Sequence, residues 1–259
     1  MAFWFLLIGV SKPFIVCSLP SVASIVEEIG GSRIEVVSIL QGVENPHTFS
    51  LKPGALKNLE RAKLIFVIGL HMEDWLPKGI LRQKGYSLAD SLDIKGNPHI
   101  WLSLQYTERI AEQVKKALIR IMPDDSVYFV KRMVVFRTML KTLKKSHCLN
   151  GRKVVTMFPA FDYLLEELGM ENAFTIINVP GKRPSPKRIS TAIKMLMNEG
   201  INAIVSIPFN DFGISDAIVK ETGVKVITLV PQVGMEEGID THIGLLEENI
   251  RRLSDGLCD

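Results

Sequence analysis

Cysteine is scarce: Cys17, Cys148 and Cys258 are the only three in 259 residues, and no two form a C-x-x-C pair. That spacing excludes a zinc knuckle and argues against a disulfide framework. Cys17 lies in an apolar run and reads as a small buried hydrophobe. Charge of one sign is lacking too. Lys and Arg number 31 against 28 Asp and Glu, and no long basic run occurs, so a nucleic-acid partner is not expected. The pairs Lys182-Arg183 and Lys187-Arg188 are interrupted by prolines and read as a solvated loop. Neither a G-x-G-x-x-G loop nor a G-x-x-x-x-G-K-[ST] loop is present, which removes the usual nucleotide cradles. The chain also lacks H-E-x-x-H, G-x-S-x-G and a Cys/His nucleophile pair, and the expectation is a protein that is not an enzyme.

Long hydrophobic runs are missing as well. The longest uncharged stretch at the start, Ala2 to Val10, is too short to span a bilayer. It has the length of a signal-peptide apolar region without the preceding basic residues. A truncated or misassigned start, or an unusual anchor, is preferred here over a first core strand, because Phe3, Trp4 and Phe5 cluster at the terminus. Cys17 follows no lipobox, so a lipoprotein is not expected.

Histidine is rare, with five in the chain, yet two of them share one local frame: Asn45-Pro46-His47 and Asn97-Pro98-His99. Proline fixes its own φ and drives the preceding residue out of helical geometry, so each His sits on a stiff turn. Matched turns predict a shared site.

The remaining pattern alternates strands and helices. Strands are expected at Phe14–Ser18, Ile34–Leu40 and Ala62–Gly69, with helices at Val22–Ile29, from Pro53, and at Tyr106–Met122. A helix from Asp124 to Lys145, about 22 residues and roughly 33 Å, reads as a strut. Strands follow at Val154–Met157, Ala173–Ile177, Ala203–Ile207 and Val224–Val230. Helices are expected at Phe161–Leu168, Pro186–Glu199, Ser215–Thr222 and Thr241–Leu253. Such alternation implies right-handed βαβ units and parallel sheets. The expected architecture is α/β: two Rossmann-like lobes, residues 13–123 and 150–259, joined by one long rigid helix over 124–149.

Several spaced motifs then carry a likeness. Asn45-Pro46-His47-Thr48-Phe49 with Pro53, Ile68-Gly69-Leu70-His71-Met72-Glu73-Asp74-Trp75-Leu76, Asn97-Pro98-His99-Ile100-Trp101-Leu102, Pro184-Ser185-Pro186 and Glu221 to Val226 occur in this order. Together they resemble the solute-binding proteins of metal-ion ABC importers, the zinc and manganese group, over about residues 13–253. The resemblance implies two α/β lobes about a rigid helix, with a divalent metal carried as transported ligand in the cleft between them. It implies an extracytoplasmic location, a membrane permease and an ATPase subunit as partners, and a monomer. It makes His47 and His99 the first-lobe metal ligands. Zinc comes first and manganese second, although the His-rich loop of some zinc members is missing.

The second lobe departs from that pattern. Aligned by eye, the family's ligand positions there fall on Phe158, Ile207 and Val230, all apolar, and both Asp residues before Pro-His are Asn here. Such amides are expected to orient the imidazoles more weakly than carboxylates would. Asp162, Asp211 or Asp216 could close the metal shell, or Met157 could serve a soft ion such as Cu(I). The alternatives are a chelated metal or other small ligand, a degenerate site, and a ligand-free docking subunit. His71 is expected at the surface, His147 at a helix end and His242 on the outer face of the last helix, none as ligands. Glu73 is expected to bond backbone in its loop.

Overall fold

The computed structural model describes residues 11–143, 146–179, 181–208 and 212–258; the readings made above for Ala2 to Val10 and Asp211 fall outside them. The first half runs β1 (Phe14–Cys17), α1 (Pro20–Gly30), β2 (Glu35–Ser38), α2 (Pro53–Arg61), β3 (Leu64–Val67), α3 (Lys78–Lys84), β4 (Gly85–Ser87), α4 (Leu88–Ser91) and α5 (Leu104–Ile121). After α6 (Ser126–Thr142) the grammar repeats: β5 (Lys153–Thr156), α7 (Asp162–Glu167), β6 (Glu171–Thr175), α8 (Pro186–Asn198), β7 (Ala203–Ser206), α9 (Ile214–Thr222), β8 (Lys225–Thr228) and α10 (His242–Leu257).

Each half closes a four-stranded parallel sheet, ordered β2-β1-β3-β4 and β6-β5-β7-β8. These are the two parallel α/β lobes expected. Three segments escaped the sequence reading. The strand β4 has only three residues, too few to show a period, and the short helices α3 and α4 flank it. In both sheets the second strand in sequence lies on one side of the first and the third on the other. Strand order therefore reverses at the centre of each sheet, and the crevice at the carboxyl ends of the strands is where an open α/β sheet binds its ligand.

The helix α6 is shorter than the predicted strut and packs along α1 and α5. Phe129, Met133, Phe136 and Leu140 bury one stripe of it, at the spacing of a helix face. One buried apolar cluster continues from Ile15 and Ile25 through Trp101 and Phe129 to Val205, Leu245 and Leu253, so the lobes share a core. Polar bonds cross the same boundary. Trp101 Nε1 donates to the Pro231 carbonyl at 2.8 Å, and Tyr163 OH donates to the Asn97 carbonyl at 3.0 Å. The Glu167 carboxylate accepts from Leu104 N at 2.8 Å and from the Ser103 hydroxyl, placing an anion from the second lobe on the N-terminus of α5. Gly42, at φ +105°, admits the backbone of residues 233–235, where any Cβ would collide.

Two expectations are corrected. His242 is not on an outer face. It is 1% exposed, its Nε2 lies 2.9 Å from Thr107 Oγ1, and its backbone amide donates to Ser24 Oγ. At the first turn of α10 its ring points back between α1 and α5, a direction that sequence spacing does not reveal. Cys148 and Cys258 are also joined as a disulfide, with Cα atoms 5.8 Å apart and a sequence separation of 110, tying the segment after α6 to the end of α10. Cys17 is free and buried, as expected. Replacing Cys148 and Cys258 by Ser is expected to cost about 2–4 kcal/mol, or about 5–15 °C in Tm, through the freed unfolded chain. Calorimetry with and without reductant checks this, and an unchanged Tm on reduction contradicts it.

Candidate functional site

All the lining of the inter-lobe cleft follows the carboxyl end of some strand. His47 lies beyond β2 and His99 beyond β4 and α4, while Phe158, Ile177, Ile207 and Gln232 follow β5, β6, β7 and β8. With Trp101 and Pro231 they enclose a cavity of about 70 Å³.

The two Pro-His turns are built alike. Asn45 Oδ1 accepts from the His47 amide at 3.0 Å, and Asn97 Oδ1 accepts from the His99 amide at 3.0 Å. Each Asn thus closes an Asx turn around the rigid proline. The imidazoles meet on the first-lobe side of the cleft, with Nε2 atoms 3.3 Å apart.

Asn97 also fixes the state of the second ring. Its Nδ2 donates to the Pro159 carbonyl at 2.7 Å, which leaves Oδ1 as the oxygen facing His99 Nδ1 at 2.7 Å. Nδ1 must then carry the proton, and Nε2 presents a bare lone pair to the cleft. A carboxylate at this position would face the Pro159 oxygen and Asp162, whose Oδ2 is 3.5 Å from Asn97 Nδ2. The Asn is therefore suited to its surroundings, and it orients the His99 ring through this 2.7 Å bond. Asn97→Leu is expected to lower metal affinity about 10–100-fold. Calorimetric titration with zinc checks it, and an unchanged affinity contradicts it.

Burial lowers the pKa of both imidazoles. His99 is pushed down to about 3, first by burial and then by the adjacent His47. His242 is likewise held near 3 by burial. Glu73 moves the opposite way, pushed up to about 7 by burial, although the Ser18 hydroxyl and the Ile68 and Gly69 amides all donate to it. It bonds the backbone of its own loop, as the sequence suggested.

The linkage sign follows. Below pH 6.5 the unfolded chain binds protons that the folded His99 and His242 refuse, whereas between pH 4.5 and about 7 folded Glu73 holds a proton that the unfolded chain releases. From these three groups, unfolding takes up about one proton between pH 6.5 and 4.5 and about two below. Stability of the metal-free protein is expected to fall on acidification by about 1.4 and then about 2.7 kcal/mol per pH unit. Urea unfolding at pH 7, 5.5 and 4 measures the slope, and a flat profile contradicts it.

The second lobe brings apolar groups to the cleft. Phe158 and Ile207 line it, but Val230 does not: it is fully buried, with its N–H and carbonyl both bonded to the Asn249 side chain at 2.8 Å. Gln232, two residues on, takes the place facing the cavity. The acidic alternatives are turned elsewhere. Asp162 accepts from Asn172 Nδ2 at 2.8 Å, and Asp216 lies in α9 beside a separate crevice with Ser206 and Thr228. Met157 is buried in the core behind the second sheet. His71 is exposed and sits 3.2 Å from Asp74, and His147 opens a short turn after α6. Among the described residues, no group of three His, Cys, Asp or Glu side chains converges.

The geometry has relatives. The family model described as the periplasmic zinc-uptake complex component A (ZnuA) matches residues 15–256. A Thermotoga maritima protein named for metal binding is 29% identical over 249 residues, covering 90% of this chain and 88% of that protein. The manganese ABC transporter substrate-binding lipoprotein PsaA of Streptococcus pneumoniae is 22% identical over 266 residues, covering 91% and 86%. Among solved structures, the cadmium-bound periplasmic metal-binding protein of Candidatus Liberibacter asiaticus superposes with a TM-score of 0.83 at 21% identity, over 95% of this chain and 100% of that one. That likeness establishes the fold.

Proposed function

The chain belongs to the family of periplasmic zinc-uptake components, the metal-binding subunits of ABC importers, and from that premise we propose that it captures a zinc-class divalent ion with His47 and His99. Members of this family are binding proteins rather than enzymes, and they hand their ion to a membrane permease driven by an ATPase subunit. The protein works outside the cytoplasm.

The observation that carries the reading is the 3.3 Å between the two Nε2 atoms. Two nitrogens about 2.0–2.1 Å from a tetrahedral zinc stand about 3.3–3.4 Å apart, so an ion fits between the rings with little movement. Asn97 holds the His99 lone pair ready. His47 donates its Nε2 proton across to His99 in the ion-free protein, and shifting that proton to its own Nδ1 frees the second lone pair. Both rings stay neutral at pH 7, which removes the proton competition that would weaken binding.

Zinc is favoured over manganese by the donor set. Imidazole suits late first-row ions, whereas manganese prefers carboxylate and carbonyl oxygen, and among the described residues no carboxylate lines the cavity. Equilibration with equal manganese, iron, cobalt, nickel and zinc, followed by metal analysis, is expected to return zinc at one equivalent. Manganese retained in its place would overturn the assignment.

A further inference from the structure

Two neutral imidazoles leave the charge of a divalent ion intact inside a largely apolar cavity. Moving such a charge out of water is costly unless a counter-charge accompanies it. Among the described residues the lining supplies none, since it contains no Asp or Glu.

Gln232 indicates where the counter-charge sits. It is 1% exposed and lines the cavity. Its Oε1 accepts from Ser21 Oγ at 2.9 Å, and Ser21 Oγ itself accepts from the Val233 amide at 3.2 Å, which orients the hydroxyl proton toward Gln232. The other end of the amide, Nε2, is buried without a partner. A buried NH2 group left unpaired costs free energy until an acceptor reaches it. It repels a cation and suits an anionic oxygen.

The mouth of the cleft carries a matching charge. Gly181 lines the cavity, and the next residue, Lys182, is exposed and has no ion-pair partner among the described residues, while Arg183 lies in a separate crevice along α8. Glu44, on the facing turn, directs its carboxylate to the Gln41 amide at 2.8 Å. A cationic rim slows a bare dication and attracts an anion or an anionic complex. The Trp101, Phe158 and Ile207 walls suit the carbon portion of a small organic acid.

Building on the metal-capture reading, we propose that the ion is held together with a small carboxylate. His47 and His99 bind the metal, Gln232 Nε2 donates to a carboxylate oxygen, and Lys182 draws the pair in. The carboxylate completes the open part of the metal shell and offsets its charge.

Zinc nitrate titrated into metal-free protein in a weakly coordinating buffer, without and with millimolar acetate, tests this. Acetate is expected to raise the apparent zinc affinity at least about tenfold. Gln232→Leu is expected to lose that gain, with thermal unfolding used to verify that it folds. Gln232→Glu places a fixed carboxylate at the same point, and is expected to tighten zinc binding and make it insensitive to acetate. Lys182→Glu should reduce the acetate gain at low ionic strength. Zinc bound equally with and without acetate overturns the carboxylate and leaves the metal-capture reading standing. Zinc bound under neither condition overturns both. A Gln232→Glu protein still dependent on acetate overturns the role given to Gln232.

Discussion

Alanine at both His47 and His99 is expected to weaken zinc binding by about a thousandfold or more. Structural zinc sites bind with about 10–16 kcal/mol over four ligands, or roughly 2.5–4 kcal/mol for each, and a thousandfold loss corresponds to about 4 kcal/mol. The single variants are expected to come close to the double one. A lone imidazole cannot hold an ion that its partner on the opposite turn has ceased to grip, so the two losses are strongly non-additive. Competition with a chelating dye measures all three proteins against the parent. Folding should survive, because neither ring fills the core; His47 is half-buried, and His99 rests beside Trp101 with ring centres 5.3 Å apart. If the double variant retained full affinity, the ligand assignment would be wrong.

The largest effect on stability is expected at Trp101. Its side chain is 1% exposed, belongs to the core the lobes share, and donates to the Pro231 carbonyl of the opposite lobe. Trp101→Ala removes a large buried ring, for about 3–5 kcal/mol, and strands a carbonyl whose lost bond adds about 1 kcal/mol. Trp101→Phe keeps most of the packing and loses the indole N–H, so it should cost about 1–2 kcal/mol. The difference between the two variants separates packing from the inter-lobe bond. Urea unfolding reads both, and a cost below 1 kcal/mol for Trp101→Ala would show that the lobes are held together elsewhere.

Much of the fold was legible because it rests on local pattern. Apolar runs such as Leu64 to Val67 and helix starts such as Ser185-Pro186 carry their own signals, and the observed elements follow them closely. The Asn-Pro-His turns were legible for the same reason: proline and Asx-turn chemistry act within three residues. What escaped depends on partners distant in sequence. Cys148 meets Cys258 only because the segment after α6 returns beside the end of α10. His242 lies inward because Ser24 and Thr107, from α1 and α5, await it. Gln232 was missed by two residues. After β8 the chain leaves the sheet through Val230, whose backbone is bound by Asn249, so the residue that reaches the cleft comes two positions later than the family likeness places it.

The bonds between the lobes set the tempo of exchange. Trp101 to Pro231, Thr107 to His242, and Glu167 on the start of α5 fasten one half to the other behind the cleft, and Gly42 brings backbone against backbone beside them. Halves so riveted have no free hinge on which to swing apart. On the proposed metal-capture reading, the ion's residence time is expected to depend on the short turns that carry His47 and His99, with release a local event in which those turns yield while the frame holds still. On that reading, a permease would draw out the cargo by prying at two loops.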